Sequence, residues 1–129
     1  MSQLIEPELS YLITGYCFKT QKKLGRFARE KQYCDDFEEA IMAAGLNFKR
    51  EFEIQKLNPS SPIGNRVDFW VEGILIDFKA KPFITKEDYF QMQRYLEAAD
   101  IKLGLVINFR NYYLKPKRII NPKFDLVHS

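Results

Sequence analysis

Two short apolar segments, residues 65–71 and 74–79, carry carboxylates at positions that a sheet would bury. Residues 74–78 read Ile-Leu-Ile-Asp-Phe, which is typical of a buried strand, and Asp77 lies within it. A carboxylate inside an apolar strand is costly unless it is paired or binds a metal ion. This position therefore limits both the fold and the chemistry that the chain can support.

A Glu-Gly dipeptide separates the two segments and predicts a tight turn, which would make them an antiparallel hairpin. A turn centred on that dipeptide pairs Val71 with Ile74 and, further along, Asp68 with Asp77. Facing carboxylates repel each other, and a bound divalent cation would remove that conflict. The alternative is a solvated hairpin face on which Lys79 pairs with an aspartate. Because side chains alternate across a strand, the residues predicted to share this face are Arg66, Asp68, Trp70, Leu75, Asp77 and Lys79.

Hydrophobic periodicity divides the chain into three helices and five strands. The helices span about residues 8–24, 27–44 and 86–100, and the strands about residues 48–54, 65–71, 74–79, 103–109 and 112–120. The first strand carries Phe48, Phe52 and Ile54 at even spacing, and residues 58–64 are predicted to form a loop. Thr85, with Asp88 three residues further on, predicts an N-cap for the third helix. The resulting order, ααβββαββ, predicts an α/β fold in which helices flank a mixed sheet of four or five strands.

The composition is that of one folded domain. The 129 residues suffice for one core but not for two, so a single domain over residues 1–129 is expected. No apolar run approaches the roughly 20 residues of a membrane span, and the N-terminus lacks the features of a signal peptide. A cytoplasmic protein is therefore expected, in which Cys17 and Cys34, both on apolar helix stripes, are reduced core thiols.

Charge and histidine content narrow the classes of function. The single histidine, His128, argues against a His-based metal site or a Ser-His-Asp triad. The net charge of +3 permits a polyanionic partner, and basic side chains cluster in residues 19–31 and 115–123. Such clusters either solvate a surface or bind nucleic acid, and charge alone does not decide between these.

One acidic residue falls on the apolar stripe of the second predicted helix. The stripe consists of Glu30, Tyr33, Cys34, Phe37, Ile41 and Ala44. All of these residues except Glu30 suit a core. Either Glu30 occupies an exposed first turn, where an acid interacts favourably with the helix dipole, or it points from the helix towards the hairpin aspartates.

Taken in order, these residues resemble the PD-(D/E)xK nuclease superfamily and, within it, the GxxExxY protein family. The resemblance covers about residues 9–120. It departs from the family at Phe27, where the family has glycine, at Val67, where the superfamily name has proline, and at Asp77, which is shorter than the expected glutamate. The matching pieces are Leu24-Gly25, Glu30-Lys31-Gln32-Tyr33, Asp68, Ile76-Asp77-Phe78-Lys79-Ala80, Gln91-Met92-Gln93-Arg94-Tyr95-Leu96 and residues 103–109.

The resemblance implies a metal site for Mg²⁺ or Mn²⁺. Asp68 and Asp77 would be metal ligands, and the backbone carbonyl of Phe78 is a candidate third ligand. Glu30 would complete the acidic cluster, either directly or through water. Phosphodiester hydrolysis needs a nucleophilic water and neutralised phosphate charge, and a carboxylate-bound divalent ion supplies both.

The resemblance also implies roles for three further catalytic candidates. Lys79 would orient or activate the attacking water, or stabilise charge on the phosphate. Gln91 and Tyr95 resemble a Q-x-x-x-Y element that supports the site from the following helix. The alternative for these two residues is an ordinary helix face.

The function expected from the resemblance is a metal-dependent nuclease that acts on nucleic acid, with DNA as the expected substrate. The main alternative is a non-catalytic domain that keeps the fold and binds nucleic acid or a partner. A third interpretation is a small partner-dependent subunit or homodimer, for which Phe83, Tyr112 and Tyr113 are candidate exposed contacts.

Overall fold

The computed structural model describes residues 6–54 and 65–128. The predicted loop at residues 58–64 lies outside these ranges. The helices are α1 (Glu6–Leu24), α2 (Glu30–Ala43), α3 (Lys86–Ala99) and α4 (Phe124–His128), and the strands are β1 (Phe48–Glu53), β2 (Arg66–Val71), β3 (Ile74–Lys79), β4 (Leu103–Asn108) and β5 (Lys117–Ile120).

The described strands form one mixed sheet in the order β1-β2-β3-β4-β5. Strands β3 and β4 are parallel and are joined through α3, whereas the other neighbours are antiparallel. The predicted α/β class and the order ααβββαββ are confirmed, with the short helix α4 as an addition. The last strand covers only Lys117–Ile120, because the residues before it form the turn that follows β4.

The sheet separates two hydrophobic cores. The first core, between the sheet and helices α1 and α2, contains Ile13, Cys17 and Phe37. The second core, between the sheet and α3, contains Met92, Tyr95 and Leu96. Every residue of β4 is buried, as expected for a parallel strand covered on both faces. Cys17 and Cys34 are free thiols inside the first core, as predicted.

The strands β1 and β2 exchange faces at one position. Phe48 packs against the first core and Phe52 against the second, although their even spacing would place them on one side. The register of β1 with β2 is constant on both sides of Glu51, which has a left-handed φ of 54° and lies opposite Asp68. In β2, Val67 lies in the second core and Phe69 in the first, so the predicted alternation fails at Asp68, and Arg66 does not share a face with Trp70.

The predicted turn of the β2–β3 hairpin is confirmed. Val71 pairs with Ile74, and Glu72 and Gly73 have the positive φ values of a tight hairpin turn. The regular pairing of β2 with β3 ends at Phe69 and Ile76, one residue short of the aspartates. The predicted backbone pairing of Asp68 with Asp77 is thus replaced by side-chain contacts, which belong to the candidate site.

Helix α3 is fixed at its start by a predicted cap and along its length by a glycine in β4. Thr85 and Asp88 form a capping box, in which each side chain accepts the backbone N–H of the other. A methyl group at Gly104 would lie 2.6 Å from the sulfur of the buried Met92. Gly104 therefore allows α3 to pack directly on the sheet.

None of the helices within residues 6–54 and 65–128 is long and apolar enough to cross a membrane.

We predict that Gly104→Ala lowers the free energy of unfolding by about 1–3 kcal/mol, because it overpacks the second core against Met92. Urea denaturation at pH 6 measures this change. Met92→Ala alone also destabilises, by leaving a cavity. The double variant should be less destabilised than the sum of the single variants, and strict additivity would contradict the predicted contact.

Candidate active site

Asp68 and Asp77 connect β2 with β3 where the regular ladder ends. The Asp68 carboxylate accepts the Phe78 N–H at 2.7 Å, and the Asp77 carboxylate accepts the Asp68 N–H at 3.4 Å. Each side chain thus reaches across to the opposite backbone. This exchange places the two carboxyl groups close together, so that Asp77 acts directly on the ionisation of Asp68.

Asp68 lies in surroundings that disfavour its charged form. Asp77 is buried and Asp68 is half-buried. Burial first, and then the charge of Asp77 and the hydrogen bond to it, raise the pKa of Asp68 to about 8. Without a bound metal ion, the pair therefore retains a proton at neutral pH.

Lys79 lies beside this pair and is held by two acids. Its Nζ is 2.9 Å from Asp77 Oδ2 and 3.9 Å from Asp88 Oδ1. Burial opposes the lysine charge, but Asp77, Asp88 and Glu30 outweigh it and raise the pKa of Lys79. Lys79 therefore remains a cation. The alternative of a lysine paired with an aspartate is correct for this contact, but the face is buried rather than solvated.

Asp88 was assigned only a capping role from the sequence, and the structure gives it a second role. Its carboxylate also binds Lys81 Nζ at 2.5 Å, so it lies between two lysines. The capping box with Thr85 orients this carboxylate, and its hydrogen bonds help to lower the pKa of Asp88 against the effect of burial. The two lysines that follow Asp77, Lys79 and Lys81, were the only sequence signal that could have indicated this role.

Glu30 is the first residue of α2 and is exposed there. Partial burial of its carboxyl is nonetheless the largest cause of a raised pKa, and Lys79, Asp77 and Lys81 are the charges that act on it. Glu30 is thus both in the first turn and near the hairpin acids. Among residues 6–54 and 65–128, no three His, Cys, Asp or Glu side chains are close enough to hold a metal ion together. The shared acidic contact consists of Asp68 and Asp77.

Tyr33 determines where α2 begins. Its hydroxyl donates to the Gly25 carbonyl at 2.5 Å and accepts the Ala28 N–H at 3.2 Å. Its ring stacks on Phe109 with centroids 4.1 Å apart. This bridge holds residues 25–29 outside the helix, so α2 begins at Glu30 rather than at residue 27 as predicted. A tyrosine within a core stripe was the available signal, because a buried hydroxyl needs a partner.

A cavity of about 440 Å³ opens beside Lys79 along α3. Gln91 lines this cavity, whereas Tyr95 is buried in the second core, where burial first and Asp77 second raise its pKa. Arg94 also lines the cavity and was not selected from the sequence, although it lies one helical turn from Gln91. No acid in the described part of the chain forms a salt bridge with Arg94, so its charge faces the cavity.

The comparison with protein families agrees with this arrangement. The family model described as the PD-(D/E)XK nuclease superfamily matches residues 7–120, which include every candidate site residue. The chain belongs to the PD-(D/E)XK nuclease superfamily. Its five-stranded mixed sheet with flanking helices is the restriction-endonuclease-like fold of that superfamily. No curated protein and no solved structure matches the chain significantly.

The sequence resemblance assigns Asp68 to the first acid of the PD-(D/E)XK motif, Asp77 to the second and Lys79 to the lysine, and these assignments stay predictions. Val67 replaces the proline of the motif name. Val67 is buried in the second core, so an apolar side chain suits the position.

We predict that Asp68→Asn stabilises the metal-free protein at pH 8. The carboxyl of Asp68 has a folded-state pKa above its unfolded value, so wild type loses stability as pH rises from about 4 to 8. An asparagine can still accept the Phe78 N–H and can donate to Asp77 without carrying charge. Urea denaturation in EDTA should show a gain of more than about 1 kcal/mol at pH 8 and a smaller gain at pH 5. A gain independent of pH would contradict a protonated pair.

Proposed function

We propose that this protein is a Mg²⁺-dependent nuclease that hydrolyses phosphodiester bonds of nucleic acid, with DNA as the expected substrate. The observation that carries the proposal is the contact of Asp68 with Asp77, beside a charged Lys79, at the motif positions of the superfamily. Two mutually repelling carboxylates in a largely buried site suit a divalent cation as their partner.

The residues present fit a metal ion that is shared with substrate. Mg²⁺ binds through one or two carboxylates together with waters and phosphate oxygens, and Mn²⁺ accepts the same ligands. Asp68 and Asp77 would hold the ion, and the Phe78 carbonyl would be the third ligand. The N–H of Phe78 points towards Asp68, and the carbonyl of a strand residue points to the same side as its N–H. Glu30 would act through water. The bound ion would lower the pKa of a water and neutralise phosphate charge.

Lys79 would act as a fixed cation rather than as a base. Its raised pKa keeps it protonated, and Asp77 and Asp88 hold it in place. A positive charge fixed in this way stabilises the negative charge that develops on the phosphate during hydrolysis. Asp88, which holds both Lys79 and Lys81, is a positioning residue for this step.

Two side chains of α3 would position the scissile phosphate and the site. Gln91 and Arg94 line the cavity beside Lys79, and Arg94 can bind a phosphate oxygen pair with its planar guanidinium. Tyr95 would support the site from below, since it packs in the second core and interacts electrostatically with Asp77.

We also propose membership of the GxxExxY family within the superfamily. The tyrosine of that motif is Tyr33, whose bridge to Gly25 and Ala28 places Glu30 at the start of α2. Phe27 replaces the motif glycine without a left-handed φ, so the linker does not require glycine there. A cytoplasmic location is proposed with it.

We predict that Asp77→Asn abolishes cleavage of a panel of labelled DNA and RNA strands and duplexes in Mg²⁺ or Mn²⁺. The variant should keep its circular dichroism spectrum and lose metal binding by calorimetry, because one of two ligands is removed. Asp100→Asn, the same change at an exposed position in the left-handed conformation that asparagine tolerates, is the control.

Two results would count against this proposal. Cleavage that survives in Asp77→Asn would reject the site. A wild-type protein that binds nucleic acid in EDTA but never cleaves it would favour the alternative of a non-catalytic binding domain.

We predict that Arg94→Ala raises KM about tenfold with a smaller effect on kcat, because a charged hydrogen bond to a non-reacting phosphate oxygen is lost. Steady-state cleavage kinetics measure both constants. Lys102→Ala, which removes one positive charge beside the start of β4, is the control and should leave KM unchanged. Equal KM values for the two variants would remove Arg94 from the substrate site.

A further inference from the structure

A row of exposed aromatic rings and arginines lies beside the candidate site. Arg26 stacks over Phe27 and over Tyr112, with centroid distances of 5.2 and 5.3 Å. Arg110 stacks over Phe27 at 5.2 Å, and Tyr113 makes an edge contact with Tyr112 at 4.8 Å. We call these five residues the aromatic–arginine row. It joins the linker before α2 to the turn after β4, two segments far apart in sequence.

Hydrogen bonds to backbone carbonyls hold the two arginines of the row in a fixed orientation. Arg26 Nε donates to the Arg110 carbonyl at 3.0 Å, and Arg110 Nε donates to the Arg26 carbonyl at 3.1 Å. Gln21 on α1 reinforces the turn by donating to the carbonyls of Phe109 and Asn111. The guanidinium groups are therefore oriented, while the rings stay 69–75% exposed.

The row is continuous with the candidate site. Arg110 Nη2 donates to the Ala80 carbonyl at 3.2 Å, and Ala80 directly follows Lys79. The Phe109 N–H, next to Arg110, donates to the Lys79 carbonyl at 2.9 Å. The linker at the other end of the row leads directly into Glu30. A strand that occupies the site could therefore extend directly onto the row.

The charge around the row is positive. Residues 21–29 and 109–118 each contain four Lys or Arg side chains and no Asp or Glu, although Lys23 in the first stretch pairs with Asp36 at 2.7 Å. Within the described residues, neither Arg26 nor Arg110 forms a salt bridge. Exposed rings interleaved with arginines suit the binding of a polyanion that carries flat apolar groups.

We propose that the aromatic–arginine row binds unstacked bases of single-stranded nucleic acid next to the catalytic site. The proposal rests on the proposed function, and it names the substrate class as single-stranded or locally unpaired. Aromatic rings hold bases by stacking, arginines add cation–π and phosphate contacts, and paired bases inside a duplex offer no free face to such a row.

The test separates base stacking from charge. The Asp77→Asn protein in EDTA, which cannot cleave, is titrated into three fluorescent probes of 16 nucleotides: oligothymidylate, an abasic strand with the same phosphates, and a duplex. Fluorescence anisotropy should show oligothymidylate bound at least about tenfold tighter than the abasic strand. Adding Phe27→Leu and Tyr112→Leu should reduce this preference to about twofold or less.

The control is Tyr11→Leu, which removes an exposed ring about 20 Å away along α1 and should leave the preference intact. Equal affinity for the thymidylate and abasic strands, or tightest binding to the duplex, would overturn the proposal. A preference that persists after the Leu substitutions would also overturn it. Base preference without any cleavage by wild type would reject the proposed function while the row's role stands. Cleavage by wild type without any preference for bases would support the proposed function and reject the role of the row in base binding.

Discussion

The reciprocal contact of Asp68 and Asp77 is the interaction around which the rest of the site is arranged. Each carboxylate takes a backbone N–H from the opposite strand just where the ladder ends. The contact replaces backbone pairing with side-chain pairing, and it concentrates negative charge beside Lys79. The exchange of faces at Asp68 and Glu51 occurs at the same level of the sheet. Local backbone irregularity and the acidic pair thus coincide, as is common where function competes with regular structure.

The acidic pair lowers the stability of the fold. Asp68 is a largely buried carboxyl with a raised pKa, so its neutral form is favoured in the folded state, and the protein keeps it beside a second buried carboxyl, Asp77. Neighbouring elements offset part of this cost. Lys79 pairs with Asp77, and the capping box of α3 directs Asp88 towards the same lysine. The charge balance of the site therefore depends on how helix α3 begins.

Local pattern was enough to predict most of the fold. The apolar run of β4, the Glu-Gly turn and the Thr85–Asp88 cap each depend on neighbours in sequence, and each was correct. The exchange of faces in β1 and β2 was missed because a left-handed Glu51 leaves no signature in residue type. The start of α2 was misplaced by three residues because the bridge by Tyr33 depends on a hydroxyl that meets a distant turn.

Local sequence pattern also predicted part of the candidate site. The Asp68–Asp77 contact and Lys79 lie on one hairpin, so register alone brought them together. Arg94 and the second role of Asp88 depend on how α3 crosses over the sheet, which local pattern does not determine. Glu30 is exposed in the first turn of α2, where Lys79 and Asp77 act on its charge, and its role in metal binding remains a prediction. The roles of Gln91 and Tyr95 likewise remain predictions, although the structure separates them into cavity and core.

The parallel pairing of β3 with β4 has a consequence for the order of assembly. Lys79 and Lys81 bond to Phe109 and Asn108, so the end of β3 is completed only after the chain has passed through α3 and returned. Gln21 closes the same turn from α1, across 88 residues. The hairpin acids can meet early through local contacts, but their surroundings are contributed by both ends of the described chain. The candidate site is therefore complete only in the finished fold, and a partly folded chain would carry the motif without the site.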